Sequence, residues 1–272
     1  MNIVYAGNKN VFDGLLISLL SLIEVNQQAL RVYVLTMDLQ ELDKDYIAIP
    51  QSDLTFIEHQ LKRVNQDSRI IRVDVKETFQ TYLGQSKNLV NRYTPYALLR
   101  LLLDRVSIIP DKVLYLDTDT VINKSITGLY NTDIAQYEYA AVKDRYGRFF
   151  FNPFYCNTGV LLLNMAMIRK TNLFKKVVDL LNTKKVFLSD QTGINKMTKR
   201  KKLLSRKFNE QKNVRQDTVV RHFSMQFRLF PKFNFVNIKP WHIDKVHDMY
   251  HCHEFDHILT KYQTLKTLKE LQ

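Results

Sequence analysis

Lys112-Val113-Leu114-Tyr115-Leu116-Asp117-Thr118-Asp119 is the stretch on which the reading of this chain turns. Val113 to Leu116 are aliphatic and aromatic, the composition of a buried strand, and the run ends abruptly on two carboxylates. In an extended segment residues i and i+2 point to the same side, so Asp117 and Asp119 can both reach one cation. Their hard oxygens suit Mg²⁺ or Mn²⁺, which leave coordination positions open for diphosphate oxygens. A solvated turn after a strand is the plainer reading, and the tripeptide alone does not choose between the two.

The surrounding chain alternates strand-like and helix-like stretches, which predicts an α/β protein. Ile3-Val4-Tyr5-Ala6 reads as a strand that stops at Gly7-Asn8, and Phe12 to Glu24 reads as an amphipathic helix. Arg31 to Thr36 is a second strand, Asp43 to Ala48 carries a helical pattern, and Leu54-Thr55-Phe56-Ile57 reads as a third strand. This rhythm implies parallel pairing, with ligands gathered at the carboxyl ends of the strands. Thr94-Pro95 opens a helix running to Val106, with the threonine as cap and the proline in the first turn. Downstream, Tyr139 to Val142 and Gly159 to Leu163 read as further strands. Met165 to Leu181 reads as one helix, and Ser189 as the cap of a shorter one.

Hydrophobic residues make up 45% of the 272 and charged residues 25%, which excludes wholesale disorder. No apolar run reaches the roughly 18 residues of a membrane-spanning helix. The first residues carry neither a basic flank nor a small-residue cleavage site, so the expectation is a cytoplasmic protein. Two cysteines, Cys156 and Cys252, are too few for a disulfide scaffold. Charge is uneven: the net is +13, and from Lys196 onward 17 Lys and Arg stand against 7 Asp and Glu. Such a tail suits an anionic partner, whether nucleotide phosphates, acidic headgroups or nucleic acid.

Three further motifs follow the Asp-Thr-Asp segment in order: Asn157-Thr158-Gly159-Val160-Leu161-Leu162-Leu163-Asn164, Asp190-Gln191 and Lys239-Pro240-Trp241. With this set the chain resembles the retaining nucleotide-sugar glycosyltransferases of glycosyltransferase family 8, which include glycogenin and bacterial lipooligosaccharide galactosyltransferases. The resemblance runs from Ile3 to about Trp241. It implies a GT-A fold, Rossmann-like, with a mixed and mostly parallel sheet flanked by helices. Residues 1–241 would be the catalytic domain, and 242–272 a basic, His-rich annex that touches acceptor or membrane.

The resemblance also implies roles. Ala6 and Asn8 match the strand end that contacts uridine, although many members carry aspartate at the Asn8 position. Arg100 matches a donor-contacting arginine, and Asp117-Thr118-Asp119 the donor- and metal-binding motif. Asp144 matches an aspartate on the donor sugar's hydroxyls, while Asn157 and Gly159 match the lining of the sugar site. Asp190 and Gln191 match the pair beneath the reacting carbon. His222 matches the third metal ligand and Lys239 the lysine on the diphosphate. The family usually sets these last two six residues apart; here they are 17 apart, so Met225 to Asn237 must bulge out, and His242 competes with His222. Without the resemblance plainer readings stand: Arg100 as a helix-surface cation, Asn157 and Asn164 as strand ends, Lys239-Pro240-Trp241 as a packed turn.

Five of the seven histidines fall at His242, His247, His251, His253 and His257, around Cys252. On a helix His247 would share a face with His251, and His253 with His257. Zinc could use such spacing; a surface for acceptor or headgroups is the other reading. The implied activity is a metal-dependent retaining hexosyltransferase, taking glucose or galactose from a UDP-hexose with Mn²⁺ or Mg²⁺. Its acceptor would be a glycan, glycolipid or glycoprotein, reached in the cytoplasm or at an anionic inner membrane face. Gln191 is a weak nucleophile and Asp190 the one carboxylate near it in sequence, which favours front-face attack over double displacement. The rival class is a basic protein for nucleic acid or anionic surfaces, but no RNA-binding motif interleaves its aromatic and basic residues, so no nucleic-acid partner is expected. A third reading is a sugar-nucleotide binder or hydrolase.

Overall fold

The computed structural model describes residues 1–89, 94–228 and 234–271. Strand β1 (Asn2–Ala6) leads into α1 (Phe12–Val25) and β2 (Arg31–Thr36). Then come α2 (Gln51–Val64), β3 (Arg69–Asp74), α3 (Lys76–Leu83) and a 3-10 helix, Pro95–Arg105. The middle of the chain holds β4 (Lys112–Leu116), β5 (Thr120–Ile122), α4 (Thr127–Tyr130), β6 (Tyr139–Lys143), α5 (Gly147–Phe150) and β7 (Cys156–Asn164). After α6 (Met165–Thr171), α7 (Leu173–Thr183), α8 (Ser189–Met197) and β8 (Lys201–Leu203) come three short strands. These are β9 (Val220–His222), β10 (Gln226–Arg228) and β11 (Asn234–Val236), and α9 (Ile243–Tyr250) and α10 (Asp256–Glu270) follow them.

Seven strands form one sheet in the order β3-β2-β1-β4-β7-β6-β8. β3, β2, β1 and β4 run parallel, β7 is antiparallel to both its neighbours, and β8 is parallel to β6. This is the expected mixed, mostly parallel sheet flanked by helices. Its strands are apolar on both faces because both are covered. Ile3, Tyr5, Leu114 and Leu116 enter one core, while Val4, Val113 and Tyr115 enter the other.

Several local expectations are corrected. Leu54 to Ile57 lies inside α2, whose Leu54, Ile57 and Leu61 form one buried stripe, and the third strand is β3. A four-residue apolar run does not distinguish a strand from a buried helix face, and only the longer spacing decides. Asp43 to Ala48 forms turns rather than a helix. The stretch from Met165 is broken at Asn172, whose left-handed backbone (φ 55°) ends α6. Ser189 is the first residue of α8 and not its cap; Leu188 holds that position, also left-handed at φ 55°.

α1 is not amphipathic. Gly14 through Ile23 are all buried, because α10 packs across the side of α1 turned away from the sheet. Ile258, Leu259, Tyr262 and Leu265 of α10 join the same core, and Lys266 and Lys269 pair with Asp13 and Asp53 at 2.9 and 2.7 Å. The C-terminal segment is therefore packed against the first helix of the sheet layer.

Gly14 sets how close α1 comes to the turn after β4. A Cβ built there would stand 2.5 Å from the carbonyl oxygen of Thr118 and 2.6 Å from the Trp241 ring. A backbone carbonyl cannot rotate aside, so Gly14→Ala should cost about 1–3 kcal/mol, read as a lower urea midpoint. Gly128→Ala is the control: its Cβ would meet nothing within 4 Å, and in helical α4 the change should be neutral or slightly stabilising.

Candidate active site

The central strand β4 carries the chain to the carboxyl edge of the sheet, where Asp117 N–H donates to Gly159 O at 2.8 Å. Thr120 closes the turn by donating its N–H and hydroxyl to Asp117 O. β5 then pairs antiparallel with β9, with Thr120 opposite His222, which brings the histidine beside Asp119. His222 Nε2 lies 3.1 Å from Asp119 Oδ1 and 3.7 Å from Asp117 Oδ2. One ligand-type atom from each of the three lies within 4.8 Å of the others. Gly159 leaves the room for this: a Cβ there would meet His222 Cε1 at 2.1 Å and Asp117 Oδ2 at 2.7 Å.

Of the two competing histidines, His222 is the one facing the carboxylates. His242 is exposed and accepts from the Lys239 N–H. The long separation of His222 from Lys239 is taken up by β10 and β11, an antiparallel pair that leaves the site and returns; residues 229–233 of this segment lie outside the described residues. Lys239 Nζ comes back to Asp119 Oδ2 at 2.5 Å. Burial works to raise the Asp119 carboxyl, but the Lys239 ammonium and the His222 ring outweigh it and hold it well below the usual carboxylate range.

The orientation of His222 follows from a chain of hydrogen bonds that can run only one way. Asp144 accepts at Oδ1 from the N–H groups of Tyr146 and Gly147, and at Oδ2 from Asn157 Nδ2 at 3.0 Å. A carboxylate only accepts, so the Asn157 amide must turn its nitrogen to Asp144 and its oxygen away. That oxygen accepts from Gly159 N–H at 3.0 Å and from Asn209 Nδ2 at 2.9 Å. Asn209 Oδ1 is thereby turned to His222 Nδ1, 3.2 Å away, and holds a proton there. Nε2 is left to face the two aspartates, either as an N–H⁺ ion pair or as a lone pair toward a cation. The donor set, two carboxylates and one oriented imidazole, suits Mn²⁺ or Mg²⁺.

Arg100 is not a surface cation. It is 5% exposed, stacked over the Tyr115 ring at 4.4 Å, and donates to Asp117 Oδ1 at 2.8 Å and to Thr158 O. Its Nε sits 3.2 Å from Asp190 Oδ2. Burial pushes Asp190 up to about 6, with Arg100 acting the other way and Asp117 adding to the rise. Gln191 Oε1 accepts from Thr158 N–H at 3.1 Å while Nε2 donates to Asp144 at 3.3 Å, so this amide too is oriented. Leu188 and Ser189, the two residues before Asp190, have positive φ, backbone strain of the kind stored at functional sites.

Arg100, Tyr115, Asp117, Asp119, Asp144, Asn157, Thr158, Asp190, Gln191, His222 and Lys239 line one open pocket of about 470 Å³, together with Ala6, Asn8 and Thr118. Asn8 reaches it with its amide already engaged, accepting from Asn10 N–H and donating to Asp45 O. Sequence reasoning missed Asn209, Tyr115 and Thr158. Tyr115 donates its hydroxyl to Asp117 Oδ1 at 3.1 Å. Asn209 carried no local signal, since it acts through contacts 13 and 52 residues away.

Relatives share this chain's sequence and architecture. It is 41% identical over 93 residues to glycosyltransferase GlyA of Streptococcus pneumoniae serotype 4, which is 34% of this chain and 13% of GlyA. With glycosyltransferase GlyD of the same organism it is 28% identical over 179 residues, 65% of this chain and 19% of GlyD. The matched part thus spans less than a fifth of either relative's length. Among solved structures, the galactosyltransferase LgtC in complex with donor and acceptor sugar analogs superposes with a TM-score of 0.70 at 20% identity, covering 96% of each chain. GlyE of Streptococcus pneumoniae TIGR4 superposes at 0.65 and 19% identity, over 97% of this chain and 63% of that one. At such identities the likeness is one of fold, the GT-A architecture. The family model for glycosyl transferase family 8 matches residues 2–245, from β1 to the start of α9 and across every group that meets in the pocket, and the chain belongs to that family.

Proposed function

We propose that this chain is a metal-dependent, retaining hexosyltransferase that moves glucose or galactose from a UDP-sugar to a glycan, glycolipid or glycoprotein acceptor in bacterial surface polysaccharide or glycoconjugate synthesis. The observation that carries the reading is the convergence of Asp117, Asp119 and His222 in one pocket with Asp190 and Gln191. LgtC, similar in fold, has been crystallised with donor and acceptor sugar analogs, and a Gln→Glu variant of it is described as an active-site mutant. Residues 1–241 form the catalytic unit in this reading.

Asp117, Asp119 and His222 would hold Mn²⁺ or Mg²⁺, which when bound neutralises diphosphate charge as a Lewis acid. Lys239, paired with Asp119, adds positive charge for the departing UDP. Asp144 already accepts four hydrogen bonds and works by orienting Asn157 and Gln191 against the sugar. The Gln191 oxygen supports the positive charge that develops at the anomeric carbon. Asp190 is paired with Arg100 and Gln191 is an amide, so neither is a free nucleophile. This favours front-face attack. The acceptor oxygen bonds to the anomeric carbon as the carbon–phosphate oxygen bond breaks on the same face, and the leaving oxygen takes the acceptor's proton.

In this reading the acceptor side is the exposed aromatic cluster close in sequence to Tyr146 and Leu188, two residues that line the pocket. Phe149, Phe150 and Phe154 are 74%, 75% and 57% exposed, and Phe187 on the neighbouring loop is 63% exposed. Arg148 lies over Phe149 and Lys143 over Phe154. Protruding rings with basic neighbours suit an acceptor presented at an anionic surface. The tail is less suited, because its Phe255 and Tyr262 are buried. We therefore place membrane contact at the aromatic cluster and the enzyme at the cytoplasmic face; among the described residues no helix is long and apolar enough to cross a membrane. The nucleic-acid reading loses ground because Lys239, Lys266 and Lys269 each pair with an aspartate of the chain.

With a panel of UDP-sugars and Mn²⁺, UDP release should be fastest for one hexose, and Asp119→Ala should lower that turnover by about 100-fold or more without a change in circular dichroism. Full turnover in the variant with excess Mn²⁺ contradicts the reading, and release of free hexose with every acceptor offered marks a hydrolase. In a second experiment, the triple variant Phe149→Ser, Phe150→Ser, Phe154→Ser should keep donor hydrolysis and lose salt-sensitive co-sedimentation with phosphatidylglycerol vesicles. Undiminished vesicle binding would remove the aromatic cluster from the account.

A further inference from the structure

The histidines that precede α10 do not pair as helical spacing suggests. His251 ends α9 in a left-handed conformation, φ 49°, with its N–H on His247 O and Val246 O, and His257 pairs with Glu24 at 2.8 Å. The turn instead folds His253 back over His247, their rings stacked at 4.3 Å and 26°. Asp256, at the start of α10, reaches both. His247 Nε2 lies 2.7 Å from Asp256 Oδ1, and His253 Nδ1 lies 3.1 Å from Asp256 Oδ2.

We infer that His247, His253 and Asp256 form a second metal site, for a borderline divalent cation such as Zn²⁺, separate from the donor pocket. One ligand-type atom of each lies within 4.8 Å of the others. The site is also built on anchored backbone. Each of the three directly follows a core residue: Val246, Cys252 and Phe255 are 1%, 7% and 3% exposed. Their burial fixes three Cα positions, so the ligand side chains turn outward from rigid points, as a binding constellation requires. Two imidazole nitrogens and one carboxylate match zinc and its neighbours, whereas Mg²⁺ prefers all-oxygen surroundings. The donor pocket, with two carboxylates and one imidazole, is the harder ligand set of the two.

Binding requires only that His247 and His253 be neutral and present lone pairs at Nε2 and Nδ1, their remaining ring protons moving to the outer nitrogens. The cation then replaces two N–H donors on Asp256 and ties the end of α9 to the start of α10. Its effect is to fasten the segment that covers α1, so the site is structural and donor turnover does not depend on it.

The test uses the full chain with Zn²⁺ as probe and the donor pocket disabled by Asp117→Asn with Asp119→Asn. Equilibrium dialysis should find one equivalent of Zn²⁺ in that background and none after adding His253→Ala. Zn²⁺ should raise the melting temperature of the first protein but not of the second. His253 is 63% exposed, so its substitution should leave the metal-free melting temperature unchanged. Should the aspartate variants fail to fold, equilibrium dialysis of Co²⁺ against the otherwise unaltered chain gives the same answer, His253→Ala and His247→Ala each binding one equivalent fewer. Absence of bound Zn²⁺ in the pocket-disabled protein, or binding that survives His253→Ala, overturns the inference. Neither result bears on the UDP-sugar reading, which rests on other residues.

Discussion

The direction of the hydrogen bonds from Asp144 to His222 is the constraint on which the pocket depends. One carboxylate, which can only accept, sets the Asn157 amide; that amide sets Asn209; and Asn209 keeps a proton on His222 Nδ1. The nitrogen facing Asp117 and Asp119 is thus chosen three hydrogen bonds away, at Asp144. The same carboxylate also holds Gln191. Gln191 and His222 are therefore positioned by one network, and a change at Asp144 would be felt at both.

Such a network needs a rigid frame, because each bond in it spans separate elements. β4 and β7 supply the frame through adjacent antiparallel pairing, and the bond from Asp117 N–H to Gly159 O ties the residue after β4 into β7. Gly159 and Gly14 allow side chains and helix to approach where any Cβ would collide. Behind them α1 is buried from Gly14 to Ile23, with α10 completing its cover. Arg100 braces the opposite wall, holding Asp117 and Asp190 with one buried guanidinium.

How much of this was legible in the chain depends on the range of the interaction. Lys112 to Asp119 could be read directly, because a buried strand followed by two charges is a local contradiction that a site resolves. The α/β layering and its parallel strands followed from the strand–helix rhythm, while the mixed sheet came only with the family that the ordered motifs named. Leu54 to Ile57 was misread because four residues carry too little period. Asn209 left no trace, since its partners are distant in sequence. That Leu259 and Leu265 of α10 close over α1, and that Phe255 and Tyr262 turn inward, rests on contacts far apart in sequence. Helical spacing paired the histidines wrongly because a left-handed residue at His251 reverses the chain between them.

The claim at the centre of the account is that this network prepares Asp117, Asp119 and His222 for a cation that carries the donor's diphosphate. Titration calorimetry of UDP into the chain, once with Mn²⁺ and once with chelator, addresses it most directly. The account requires UDP to bind at least about tenfold more tightly with Mn²⁺, a difference of about 1.4 kcal/mol. Equal affinity in the two titrations would contradict it.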